Sequence, residues 1–338
     1  MTRLVGSRAV RLVIAAGLTG YLLWISHPEE IVRAAGGAAP SWLLFACALV
    51  FLDRSLMAWR WMALLLPLTS DRRPALSVVL RVFFVSSFVG TFLPASVGGD
   101  AVRAFSLSRY DVPAASAVAS VAMDRALGVV SILLLGLFSL GLLHAEVPRG
   151  VYVILFVGWV ASIGAAVVIF SDGVAALASR VIGLAPGERV RRVGQRLLDA
   201  VRTYRHHHGV LATVLLYSVG VQVIRVLQAW CLGRALHIDA SPGLYFVTIP
   251  VILLIMLLPV TVNGLGTSQA AFLWTFGAAG VARPESFALS LLFVALGILG
   301  NLPGGLLYAL GDPASTMRSR TKGGAQAPPS QQSQAGPQ

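Results

Sequence analysis

The chain has 338 residues, 57% of them hydrophobic and 12% charged, with a mean hydropathy of +0.79. A soluble domain carries about a quarter charged residues, so this composition excludes an ordinary soluble protein and leaves no hydrophilic stretch long enough for a separate soluble domain. The formal net charge of +12 is almost all arginine, Lys322 being the single lysine; these arginines sit beside apolar runs without interleaved aromatics, which argues against nucleic acid and for cytoplasmic loops and anionic headgroups.

Arg3, Arg8 and Arg11 precede an apolar run from Leu12 to Ile25. No small-x-small cleavage site follows directly, so a retained first helix is expected near 9–26 rather than a signal peptide. Further runs of a length that crosses a bilayer, roughly 17 to 25 residues, lie near 41–66, 77–95, 114–143, 150–170, 210–233, 244–262, 266–282 and 286–310. Between Asp172 and His208 the chain changes character. Arg189, Arg191, Arg192, Arg196, Arg202 and Arg205 alternate with Val190, Val193, Leu197, Leu198 and Val201 at helical spacing. That pattern fits an amphipathic cytoplasmic connector over 172–209, either an interfacial helix with a basic face or a solvated link. The run His206-His207-His208 lacks the spacing of a dedicated metal site, and no metal or cofactor is expected. Cys47 and Cys231 fall inside apolar runs and make neither a disulfide framework nor a metal motif. Residues 313–338, rich in Gly, Pro, Gln and Ser, read as a disordered cytoplasmic tail behind a membrane domain spanning 1–312.

The distribution of arginine constrains the path. With Arg3, Arg8 and Arg11 in the cytoplasm, Arg72 and Arg73 are inside, and the basic stretch Arg180 to Arg205 is inside too. Counting back places Arg103 and Arg109 inside as well. Both ends of the third run are then cytoplasmic, which one crossing cannot satisfy; a re-entrant hairpin turning near Pro94 to Gly99 can. A cytoplasmic carboxyl terminus with Arg318, Arg320 and Lys322 needs an odd number of crossings after 243, met by three crossings or by one plus a second re-entrant hairpin.

A short phrase marks both places. Leu93-Pro94-Ala95-Ser96-Val97-Gly98-Gly99 recurs in outline as Leu258-Pro259-Val260-Thr261-Val262-Asn263-Gly264. Proline removes a helix donor, and paired small residues permit turns closed to other side chains. In hydrocarbon such a break persists only where protein or a water-filled cavity surrounds it, and matched breaks in two halves are what transporter-like folds place around a substrate site. Pro94, Gly98, Gly99, Pro259, Gly264 and Gly266 are the expected hinges. The expected fold is therefore an all-α polytopic membrane bundle with two broken or re-entrant segments in pseudo-repeated halves.

Ionisable groups at membrane depth cost at least about 2.5–3.5 kcal/mol each on insertion scales, so they pair and face the bundle interior. Asp53 and Arg54 point about 100° apart on a helix, so Asp53 needs a partner on another helix. Arg60, between Trp59 and Trp61, fits a headgroup anchor. Asp124-Arg125 lies too deep to snorkel and is expected in an interhelical pair or a cavity wall. Arg225, near the middle of its run and on one face with Gln228, is a second cavity cation and a candidate partner of Asp53 or Asp124. Asp100 is placed to cap a helix over Ala101–Ser108. With Arg103 it makes either a local ion pair or an anion site, lipid phosphate being the obvious anion at that depth. The second phrase offers the neutral groups Asn263, Thr267, Ser268 and Gln269.

These residues carry a resemblance. Phe92-Leu93-Pro94 through Gly98-Gly99-Asp100 and Arg103 resembles the FLP-x-x-x-GGD-x-x-R stretch of the lysylphosphatidylglycerol synthase transmembrane-region family of flippase-like integral membrane proteins. Met123-Asp124-Arg125-Ala126-Leu127-Gly128 is similar to that family's acidic-Arg pair. Ala58-Trp59-Arg60-Trp61 resembles its aromatic-Arg segment, and Leu258-Pro259 through Gly266 its second break. The likeness spans roughly residues 8 to 312. Family members often continue the second break with Arg-Glu, where this chain has Ser268-Gln269.

The resemblance implies a bundle of about eight spans that translocates a lipid or lipid-linked substrate. It leaves out the soluble aminoacyltransferase domain, since the membrane part and tail use up the 338 residues. Asp100, Arg103, Asp124, Arg125, Arg225, Asn263 and Gln269 are the expected substrate-lining residues. No nucleotide-binding loop is present, so movement down a gradient or coupling to an ion gradient is expected. The alternatives are an intramembrane enzyme acting on a lipid phosphate or polyprenyl carrier, with Asp100 or Asp124 as base, and a non-catalytic membrane partner of a separately encoded transferase.

Overall fold

The computed structural model describes residues 36–69, 74–92, 95–110, 112–143, 149–184, 186–257 and 266–310, together with 29, 32 and 33. The expected first helix near 9–26, Pro94, the second phrase from Leu258 through Asn263 and Gly264, and the tail over 313–338 lie outside the described residues.

Among those residues the chain forms eleven α-helices joined by turns and two short 3-10 segments, and no strand. They are α1 (Pro40–Leu65), α2 (Leu76–Gly90), α3 (Ala95–Leu107), α4 (Ala114–Leu143), α5 (Arg149–Phe170), α6 (Asp172–Gly183), α7 (Glu188–Arg202), α8 (His208–Ala235), α9 (Pro242–Leu257), α10 (Thr267–Ala278) and α11 (Arg283–Ala309). Four of them, α1, α4, α8 and α11, are long and apolar enough to cross a membrane. Their apolar residues run all round the helix, as expected where one side meets protein and the other lipid.

Local sequence explains several boundaries. Pro40 opens α1 at a position where a missing N–H costs nothing. The Ser171 hydroxyl accepts the Val174 N–H to start α6. Gly280, at φ 84°, lets the chain leave α10. Pro250 and Pro303 lie inside α9 and α11.

The central pair is α1 against α8, closed by Ala46, Leu49 and Val50 packing on Val226, Ala229 and Leu232 and by Trp42 meeting Trp230 edge to face at 5.3 Å. Two antiparallel hairpins flank it. In α2/α3, Val79, Val82 and Phe83 share a cluster with Ala104 and Leu107. In α9/α10, Tyr245, Ile249 and Ile252 pack with Ala271, Phe272 and Phe276. In sequence, the repeated phrase lies between the two helices of each hairpin or at the start of the second. Phe92, entering the first bend, and Met256, entering the second, both pack on Val294 and Ile298 of α11. The leading edges of the two interruptions thus meet on one helix.

The expectation that Gly98 and Gly99 break the helix is overturned. Both lie inside α3, which begins at Ala95, and the chain leaves helical geometry only between α2 and α3. The glycines serve close approach instead: a methyl on Gly90 would lie 2.7 Å from the Cα of Gly99. Glycine also lets α2 meet α11, where a methyl on Gly304 would fall 2.0 Å from the Phe84 carbonyl oxygen.

The basic connector resolves into a hairpin of α6 and α7. Ile182 fills the space left by Gly194, and the Gln195 amide donates to the Ser179 carbonyl at 3.0 Å. Arg202 and Arg205 both clamp Asp172 at its base. Phe170 and His208, where the hairpin leaves and rejoins the bundle, stack with ring centroids 6.0 Å apart. Val190 and Val193 remain exposed.

Candidate functional site

The polar interior is built by α1, α3, α4 and α8 around three aspartates. Asp124, 2% exposed, receives two arginines. Arg60 donates Nε to Oδ1 at 2.8 Å, with Nη2 2.7 Å from the same oxygen, while Arg103 donates Nη1 to Oδ2 at 3.3 Å. Arg60 Nη1 also donates to the Ser218 hydroxyl at 3.0 Å, Arg103 Nε donates to the Ser86 hydroxyl at 3.5 Å, and the Arg103 guanidinium lies 4.8 Å from the centre of Phe83 and 5.2 Å from that of Trp61 in cation–π contact. Charge-assisted hydrogen bonds of this kind are shorter and stronger than neutral ones.

Arg60 is therefore not a headgroup anchor. It is 3% exposed because α1 turns it toward α4 and α8, and Trp59 alone faces outward. The expectation that Asp100 caps a helix or pairs with Arg103 is also corrected. Asp100 lies within α3 and binds Arg125 in a fork, with Nε to Oδ2 at 2.6 Å and Nη2 to Oδ1 at 3.0 Å, leaving Arg103 free to cross to Asp124.

Asp53 finds its interhelical partner in Arg225, whose Nε donates to Oδ1 at 3.1 Å. It also touches Arg54 at 3.4 Å, a contact that sequence neighbours on a helix make only because the arginine arm is long enough to curl back. Arg54 further donates to the Gly297 carbonyl at 3.2 Å.

Two polar cavities border this network. One, of about 70 Å³, is walled by Arg60, Arg103, Asp124, Arg125, Gln222 and Arg225. The other, of about 140 Å³, is walled by Asp53, Arg54, Arg225, Gln228 and Asn301. Arg225 stands in both walls. A third hollow, of about 590 Å³, is apolar and formed by Leu134, Leu135, Phe138, Val219, Val223 and Phe246. α4 and α8 each line both a polar and an apolar hollow: Val219 and Val223 face one way, Gln222 and Arg225 the other.

The structure thus brings together Arg103, Asp124, Arg125 and Arg225, with Asp100 directly behind Arg125. Gln269 is placed differently. Its Oε1 accepts the Gly266 N–H at 2.5 Å and the Ser268 hydroxyl at 3.0 Å, capping α10, and it is in neither polar wall. Gly266 itself sits at φ 86°. Asn263 lies outside the described residues. Arg54, noted in the sequence but not expected as a lining residue, walls one cavity together with Asn301, and Gln222, which the sequence reading did not single out, walls the other. Gln222 shares a helical face with Arg225 at i, i+3, a signal present in the sequence.

A bundle of apolar helices around a buried arginine–aspartate network defines a helical membrane protein with a polar interior. Residues 8–304 match the family described as Lysylphosphatidylglycerol synthase TM region, and the chain belongs to that family. Comparison with curated proteins gave no match.

Proposed function

We propose that this protein is a flippase-type lipid transporter that passes an anionic headgroup through the polar cavities while the acyl chains stay in hydrocarbon. One observation carries the reading. Among the described residues the network holds five arginines (54, 60, 103, 125 and 225) against three aspartates (53, 100 and 124), a surplus of two positive charges. They lie one helix face away from an apolar hollow large enough for alkyl chain. A buried charge without a partner is costly, and a phosphate headgroup with its tails in the apolar hollow supplies both chemistries. The family description names a lipid built on a phosphodiester; that phosphate is the anionic group proposed here, whereas a lysyl group would make the whole headgroup cationic, and a separately encoded transferase is a proposed partner.

On this reading the protein lies in the cell membrane as about eight spans with both termini cytoplasmic, and α2/α3 and α9/α10 are re-entrant hairpins with their bends at membrane depth.

Proteoliposomes carrying a fluorescent anionic lipid test the proposal. Wild type exposes inner-leaflet label to an outer quencher, and Arg103→Gln and Arg125→Gln slow this at least tenfold with protein incorporation unchanged. Exchange equal in the variants and wild type would overturn the role of the arginines. A lipid altered in mass by the protein would replace transport with the intramembrane enzyme.

A further inference from the structure

We infer that the cavity between α1, α8 and α11 is a separate binding site for a compact monovalent anion, held by Arg54, Arg225 and Gln228. Asp53 is the one carboxylate among its lining residues, and it already faces both arginines at 3.4 and 3.1 Å. Arginine does not lose its proton in a protein, so one positive charge is left over in this hollow. Asp124 does not offset it, since Asp124 is engaged by Arg60 and Arg103.

Hydrogen bonding points the same way. Arg54 Nε and Gln228 Nε2 are buried donors with no partner, against one idle acceptor, Asn301 Oδ1, on the same wall, and Gln228 is only 4% exposed. Its amide shares the cavity wall with both guanidiniums. Two idle donors and a surplus positive charge around about 140 Å³ are complementary to a small anion. Water would satisfy the donors but bring no charge. Gly300 lets α11 pack closely on Arg54 and Val50, because a methyl there would lie 3.1 Å from Arg54 Nε and 2.8 Å from a Val50 methyl. The site differs from the Asp124 cavity in its donors and in having Arg54, and its occupancy does not require lipid transport.

A halide and the phosphodiester oxygen of a headgroup share this chemistry, and the test separates them. The full chain is placed in nanodiscs of neutral phosphatidylcholine, and thermal unfolding is followed by tryptophan fluorescence while sodium chloride replaces sodium gluconate at constant ionic strength. Gluconate is too bulky for the cavity. The wild-type melting temperature should rise and saturate with chloride. Gln228→Leu, which removes an amide nitrogen that has no partner, should abolish the rise; Arg54→Gln should reduce it. Ser131→Ala, which alters the Gln222 bond on the far side of Arg225, should leave it intact. In discs containing phosphatidylglycerol, persistence of the chloride effect identifies the free ion as occupant, and its replacement by a Gln228-dependent stabilisation from the lipid identifies the headgroup. If neither chloride nor phosphatidylglycerol gives a stabilisation that Gln228→Leu removes, the inference is wrong.

Discussion

Asp124 shows how one side chain can fix the relation of four helices. It lies on α4, its two arginines come from α1 and α3, and Arg60 carries the contact on to Ser218 of α8. Removing one member of a buried pair leaves an uncompensated charge and costs about 3–5 kcal/mol. Asp124→Asn should therefore lower the melting temperature more than Arg103→Gln, because the second variant leaves Asp124 with Arg60; comparison of the two by thermal unfolding in detergent checks the order. The depth of Asp53, Asp124 and Arg225 was legible in the sequence, since charges so far inside an apolar run must pair. The role of Arg60 was not. A Trp-Arg-Trp triplet fits the headgroup layer equally well, and what decides is which neighbours α1 presents Arg60 to. Asp100 was misjudged for a related reason: a Gly-Gly-Asp triplet resembles a helix start, but glycine permits a helix as well as a turn when a neighbouring backbone pushes against it.

Elements here approach closely where side chains are missing. The Gly90–Gly99 contact holds α2 to α3, and Gly304 holds α2 to α11. Added methylenes at packed contacts cost typically about 1–3 kcal/mol. Gly304→Ala meets backbone rather than a flexible side chain, so it should fall at or above the top of that range. Gly164→Ala, inside α5 with nothing within 4 Å of the added methyl, should instead be neutral or stabilise by about 0.5–1 kcal/mol through helix propensity. Chemical denaturation of both variants in one detergent measures the contrast. The α6/α7 hairpin makes a pH-dependent element. Arg205, and with it Arg202, holds the Asp172 carboxyl below its ordinary range. A depressed carboxylate stabilises the fold above its unfolded pKa and loses that contribution as pH falls through the folded one. The difference in melting temperature between wild type and Asp172→Asn should then be full at pH 7 and vanish in strong acid. The periodicity of 190, 193, 197 and 201 made α7 legible, whereas α6 was hidden by its mixed composition.

At the scale of the whole molecule, the proposal that α2 and α3 form a re-entrant hairpin can be checked directly. Val79, near the start of α2, and Leu107, at the end of α3, share one cluster, so the two helices return to the side from which they began. Single cysteines at Ala75 and Ser108, in a background with Cys47 and Cys231 replaced, should react with an impermeant maleimide from the same side of the membrane. Reaction from opposite sides would make the pair a through-going crossing. The long helices were readable from hydropathy alone. Their partners were not, because an apolar helix exposes similar surface all round and only the charged positions and glycines record which face meets which.

Because Arg225 belongs to two chambers at once, their contents cannot be independent. A single guanidinium that leans toward an occupant on one side withdraws donors from the other, and thermodynamic linkage makes the resulting penalty equal in both directions. If an ion that loads beside Asn301 loosens a phosphate held beside Gln222, the phosphate must loosen the ion by the same factor.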